Sequence, residues 1–141
     1  MSRENVEVVR RLMKAFEAGD IDAQLAILDP DVEIVEWPEA VDRRTFRGHE
    51  GALRAGESWA EAWEWLRNEV QEILEFGDRV LVCARTRAKG KGSAVEVEID
   101  TFNVCTLREG KVIKMDFFTK REQALRAAGL GESVINVEEA R

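Results

Sequence analysis

The sequence predicts an α+β fold in which helices come first and a curved antiparallel sheet follows. Two observations predict it. Apolar residues recur at three- and four-residue spacing through most of the first 66 positions, then change to strand patterns from about residue 68 to residue 118. The later segments are joined by short turn signals, so sequential strands pair as an antiparallel meander. No linker, repeat or low-complexity stretch interrupts the 141 residues. One domain is therefore expected over 1–130, with 131–141 as a tail.

Val6, Val9, Leu12, Met13 and Phe16 define an amphipathic helix over about 4–18, closed by Gly19. Asp20 is the expected N-cap of a second, short helix from Ile21 to Leu28. Val32 to Trp37 reads as a strand, with Val32, Ile34 and Glu36 on one face and Pro38 as its stop. Residues 39–47 read as a polar loop with a basic tip, Arg43-Arg44 and Arg47. A third helix opens at Gly48-His49-Glu50-Gly51 and is predicted to run to about Leu66. Its inward face carries small residues, for close approach to a sheet, together with Trp59 and Trp63.

Four strands are then expected: 69–76, Arg79 to Lys89, Ala94 to Leu107, and 110–118. Gly77-Asp78 marks the first turn, Gly90-Lys91-Gly92-Ser93 the second and Arg108-Glu109-Gly110 the third. Thr119-Lys120-Arg121-Glu122 has the form of a capping box for a last short helix closed by Gly129-Leu130. In the tail, Val134-Ile135-Asn136-Val137 could add an edge strand.

Bulk composition narrows the function. The net charge of −7 argues against nucleic acid, whose binders display a basic stripe. No apolar run approaches the roughly 18 residues needed to cross a bilayer, and the N-terminus lacks a secretion signal, so no membrane partner and a cytoplasmic location are expected. Cys83 and Cys105 lie inside apolar strand patterns and read as buried thiols. A single histidine excludes a poly-histidine metal site, and no tyrosine is available as a hydroxyl donor.

The chemistry centres on Asp116, between Met115 and Phe117-Phe118 in the last strand. A carboxylate on a strand buried on both faces loses several kcal/mol of hydration unless it is paired or protonated. It is therefore a pocket acid, or a structural acid paired with Arg85 or Arg87. Asp100, after Val95, Val97 and Ile99, is a second candidate interior acid, and Glu36 beside Trp37-Pro38 a third.

Phe16-Glu17-Ala18-Gly19-Asp20, Leu28-Asp29-Pro30-Asp31-Val32, Phe46-Arg47-Gly48-His49-Glu50-Gly51 and Arg108-Glu109-Gly110-Lys111-Val112 carry a family resemblance. It continues through Phe117-Phe118-Thr119-Lys120-Arg121-Glu122-Gln123-Ala124-Leu125. The chain resembles the SnoaL-like (polyketide cyclase-related) branch of the nuclear transport factor 2-like superfamily over residues 4–130. That resemblance implies a cone, a curved antiparallel sheet closed by the N-terminal and middle helices around one pocket. It also implies a homodimer through the outer sheet face, which would explain why 80–84 and 112–118 are apolar on both faces.

Ketosteroid isomerases of this fold use a carboxylate base with a tyrosine and a protonated aspartate. Asp100 falls at the place of that aspartate and Glu36 at the base, but Leu12 stands where the tyrosine would be. Losing one oxyanion donor typically costs about 2.7–4 kcal/mol of barrier. Limonene-type epoxide hydrolases use an Asp–Arg–Asp set, of which Asp116 and Arg85 match two members, while Arg87 falls near the other Asp. Ile34 and Glu36 stand where that mechanism needs Tyr and Asn. Polyketide cyclases resemble the chain in fold and in an acid near the end strand, and need no metal or organic cofactor. The expectation is a cofactor-free acid/base site of Asp116, Asp100, Glu36 and Arg85 acting on a small apolar oxygenated metabolite. Trp37, Trp59, Trp63, His49 and Phe118 would contact the ligand. The alternative is a non-catalytic binding or dimerisation domain.

Overall fold

In the computed structural model, residues 2–40 and 43–129 are described. Helix α1 (Ser2–Ala18) ends at Gly19, whose positive φ of 66° turns the chain. The Asp20 carboxylate then accepts from the Ala23 amide at 3.1 Å and caps α2 (Ile21–Ile27), as its sequence position predicts. Strand β1 (Leu28–Val35) leads through a loop to β2 (Thr45–Arg47), helix α3 (Gly48–Ala62), and the long strands β3 (Trp63–Phe76), β4 (Arg79–Gly90) and β5 (Glu96–Arg108). Strand β6 (Lys111–Phe118) and helix α4 (Arg121–Ala127) complete the described chain.

The six strands form one curved, unclosed sheet in the order β2-β1-β6-β5-β4-β3. The expected meander is its β3-to-β6 part, and β1 joins by pairing parallel to β6. Several details differ from the sequence reading: β1 runs Leu28–Val35 rather than from Val32 to Trp37, and three further differences follow from packing. The third helix stops at Ala62, not Leu66, so Trp63, Trp65 and Leu66 belong to β3, where Trp63 pairs with Gly90. Aromatic residues fit a pleated, half-buried surface, and three of the four residues from Trp63 to Leu66 are large and apolar. Within the predicted polar loop, Thr45–Arg47 pairs with β1 because Phe46 buries its ring in the core. The capping box does not form: Thr119 Oγ1 donates to Glu39 Oε1 at 3.0 Å instead, and Lys120 occupies the N-cap without a side-chain bond. Leu130, the 131–141 tail and its candidate edge strand lie outside the described residues.

Two cores flank the sheet. On the concave side Val9 and Leu12 of α1 and Ala55 of α3 pack on Val80, Val82, Cys105 and Met115. On the outer side Ala124, Leu125 and Ala128, from α4 and the residue after it, cover Leu81, Cys83, Val104 and Phe118. On this side α4 thus covers Leu81 and Cys83 of the 80–84 stretch and Phe118 of the 112–118 stretch. Each side removes large apolar side chains from water, at roughly 1.5–3 kcal/mol per fully buried residue. Beyond α4 the outer face is charged, with cross-strand pairs Arg85–Asp100 and Arg87–Glu98.

Candidate functional site

Side chains alternate across a strand, so register fixes which residues share the concave face. Cys105 and Met115 face the helices, and counting by two along β5 puts Asn103, Thr101, Ile99 and Val97 on the same side. Across the β4–β5 ladder, Thr86 faces Ile99 and Ala88 faces Val97. The next pair outward on β3 is Asn68 opposite Thr86 and Leu66 opposite Ala88. Beyond the packed core these residues floor a pocket of about 180 Å³.

Its walls are aromatic. Trp59 from α3, Trp63 at the start of β3 and Trp37 just after β1 close it with Phe117 from β6, and Phe118, whose side chain packs in the outer core, borders it at the strand end. Trp59 and Phe117 meet edge to face, with centroids 5.5 Å apart and planes at 78°, a favoured aromatic geometry. A polar band crosses the floor. The Thr86 hydroxyl donates to Asn68 Oδ1 at 2.6 Å and lies 2.9 Å from the Thr101 hydroxyl, which is also 3.4 Å from the Ala84 carbonyl. None of the described residues lining the pocket is ionisable.

The predicted acid/base set is not assembled there. Asp116 lies one residue out of phase with Met115 and Phe117, facing the outer side between Val35 and Val104. Its side chain is 15% exposed, and its nearest cation is Lys114 at 3.9 Å rather than Arg85 or Arg87. Burial pushes its pKa above the ordinary value, with Lys114 and Arg43 pulling the other way. Asp100 and Arg85 also face outward, where they pair with each other at 3.2 Å and both are about half exposed. Asp100 shares the parity of Phe102 and Val104, not of Val97 and Ile99, which is why it leaves the interior.

Glu36 is buried but committed. Arg44 donates Nε to Oε1 and Nη2 to Oε2, each at 3.0 Å, and its backbone amide adds a third bond at 3.1 Å. The Arg44 hydrogen bonds hold the Glu36 pKa below normal against the effect of burial. The carboxylate is therefore an ionised anchor for the loop, with Arg44 also reaching Ser58 Oγ and stacking 4.8 Å over the Phe46 ring. His49 bonds through Nε2 to the Leu28 carbonyl at 2.8 Å, tying the first turn of α3 to β1. Cys83 and Cys105 are both buried, and burial, with a smaller push from Asp116, raises the Cys105 thiol to about 12. At that value it is not a thiolate near neutral pH. No three His, Cys, Asp or Glu side chains among the described residues are placed to hold a metal ion, and no helix among them is long and apolar enough to cross a membrane.

Of the predicted contacts, Trp37, Trp59, Trp63 and Phe118 line the pocket, and His49 does not. Asn68, Thr86, Thr101 and Asn103 are lining residues that the sequence reading does not anticipate. The available signal is strand parity: once Val97 and Ile99 face inward, Thr101 and Asn103 follow.

Comparison with known proteins agrees with this architecture. The model of the SnoaL-like domain matches residues 9–115. A nuclear transport factor 2-like protein of unknown function from Burkholderia pseudomallei K96243 superposes with a TM-score of 0.77 at 22% identity, covering 89% of this chain and 97% of that one. Another, from Burkholderia xenovorans LB400, gives 0.73 at 27% identity, covering 91% and 98%. A putative SnoaL-like polyketide cyclase from Jannaschia sp. CCS1 gives 0.75 at 25% identity, covering 91% and 92%. No curated protein matches the sequence. The chain belongs to the SnoaL-like domain family, on the nuclear transport factor 2-like cone fold.

Proposed function

We propose that this protein binds a small apolar molecule in the tryptophan-walled pocket, and that binding rather than carboxylate-driven proton transfer is the work of that pocket. One observation carries the reading: the described lining is aromatic, aliphatic or neutral polar throughout, while Asp116, Asp100, Glu36 and Arg85 all lie elsewhere. Concave, mostly apolar sites with a few placed polar groups are the usual form of small-molecule pockets. An apolar cavity of about 150 Å³ holds a benzene ring, so the space here suits one or two fused rings. The acid/base reading keeps one support of its own, the desolvated carboxyl of Asp116, and would place the chemistry on the outer face.

Calorimetric titration with naphthalene separates the two. We expect measurable binding, a loss of at least tenfold in Trp63→Ala, and no change beyond twofold in Asp116→Asn. Binding that survives Trp63→Ala but is lost in Asp116→Asn would move the site to the outer face and overturn the reading.

A further inference from the structure

The sheet ends at β3, so the backbone groups of that strand that point away from β4 have no ladder partner among the described residues. An unpaired edge is a template for another strand, and proteins commonly cover it or keep it short. The middle of β3 is neither covered nor short: every residue from Leu66 to Glu72 is exposed. Its register with β4 shifts between Trp63 and Trp65 and again between Val70 and Glu72, which leaves 65–70 as regular strand. In that stretch Leu66 and Val70 stay 43% and 40% exposed. Its two charges, Arg67 and Glu69, are of opposite sign and form no ion pair among the described residues. Arg67 lies over the Trp65 ring and Glu69 accepts from Gln71.

This pattern fits one occupant, a second copy of the same strand. Two copies meeting edge to edge about a two-fold axis run antiparallel. A continuous sheet lets only residues of one face oppose each other, so the axis must pass through a residue position. Only two such registers pair five residues of the 65–70 stretch. Centring on Arg67 sets two guanidinium groups directly opposite, which is destabilising, and spends Leu66 on Asn68. Centring on Asn68 matches every position: each Arg67 faces the partner's Glu69, each Leu66 faces the partner's Val70, and Asn68 meets its own copy. The faces agree as well. Leu66 and Asn68 line the pocket and Val70 shares their parity, while Arg67 and Glu69 lie across from Arg87 and Arg85 on the outer side. We infer that β3 is a self-association edge, through which two copies of this chain pair antiparallel over 66–70 and join their sheets. The pairing is isologous and closes at two copies. It uses the strand edge, not the outer sheet face, and it sets the partner's Val70 beside Leu66 at the rim of each pocket. Five paired residues make a small interface, so the dimer is concentration-dependent rather than permanent.

Sedimentation over a concentration series, with cross-linking, tests this. The parent should pass from monomer to dimer as concentration rises. Arg67→Glu and Glu69→Arg each set like charges opposite and should weaken the dimer at least tenfold. The double variant restores both pairs in reverse and should return to within threefold of the parent. Asn68→Cys places two thiols directly across the axis, at the Cβ spacing of about 4.5–5.5 Å of cross-strand pairs. Mild oxidation should therefore link its copies covalently, whereas Glu98→Cys on the outer face should stay unlinked; this gives an independent reading if a charge variant fails to fold. A chain that stays monomeric at every concentration, or charge reversals that have no effect or are not rescued together, would overturn the proposal. Preferential linking through Glu98→Cys would also overturn it, and would move the dimer to the outer face. No pocket ligand enters either measurement, so the binding reading stands or falls separately.

Discussion

Glu36 and Asp116 lie beside each other on paired strands, since Val35 is in register with Asp116, but they occupy opposite environments. Glu36 is ionised and held by Arg44, and its pKa is lowered from 4.5. A lowered carboxylate stabilises the fold above its unfolded pKa, and that stability is lost as pH falls through the folded value. Asp116 is the reverse case: its pKa is raised from 3.8, chiefly by burial. Its contribution favours the fold fully below 3.8 and is lost as pH rises through the folded value. Urea unfolding of two variants reads both signs. Glu36→Gln should lose about 1.5–3 kcal/mol at neutral pH, the range for a hydrogen bond to a charged group, with the deficit shrinking below pH 4.5. Asp116→Asn should equal or exceed the parent at neutral pH, and any gain should vanish below 3.8. A clear neutral-pH loss in Asp116→Asn would mean that the Lys114 pair outweighs desolvation. At this scale the sequence is partly legible. It identifies Asp116 as an acid among apolar neighbours, and burial indeed perturbs it. Its company is not legible, because one residue of parity exchanges the two faces of a strand. Met115 and Phe117 take the pocket side and leave Asp116 and Asp100 outside.

Among the elements, α3 shows how closely local sequence is tied to packing. It meets β2 at Gly51, where an added Cβ would lie 2.8 Å from the Phe46 carbonyl carbon and 3.2 Å from its Cα. Backbone cannot move aside as a side chain can. Gly56, one and a half turns later, is exposed, and an added Cβ there would meet nothing within 4 Å. Glycine in a helix interior is less favourable than alanine by about 0.8–1 kcal/mol. Gly56→Ala should therefore gain about that amount, whereas Gly51→Ala should lose about 1–3 kcal/mol through overpacking. Thermal melts of the two variants should shift in opposite directions, and a stabilised Gly51→Ala would show that α3 can lift off β2 at little cost. The helices and the meander are legible because their apolar periods persist over many residues. The start of β3 is not: Trp59 and Trp63 are spaced as helix neighbours, and only pairing with Gly90 makes Trp63 a strand residue. The three-residue β2 is hidden because a single apolar side chain, Phe46, carries it. The capping box fails because Glu39, 80 positions earlier, takes the Thr119 hydroxyl.

For the molecule as a whole, stability should be graded along the sheet. Near the helices β4, β5 and β6 are covered on both sides, by α1 and α3 within and α4 without. Farther out, β3 to β5 form an arm whose β5 portion from Glu96 to Asp100 is exposed throughout. Leu66, Val97 and Ile99 line the pocket there yet stay 43%, 40% and 42% exposed. Segments with few buried apolar contacts open locally at low free energy. In hydrogen-exchange measurements on dilute, ligand-free protein, residues 64–70 and 96–100 should therefore exchange well before 80–84 and 102–107. A ligand bound as proposed would lie against the inner face of this arm and should slow its exchange selectively. A homodimer through the outer sheet face, the assembly expected for this fold, would act on the same strands from the charged side. Concentration separates the two effects: protection by a ligand follows ligand occupancy at fixed protein, whereas protection by a second copy rises with protein concentration alone. An arm as protected as the core in dilute, ligand-free protein would contradict the graded picture and mean that the strands are held by their ladders without cover on either face.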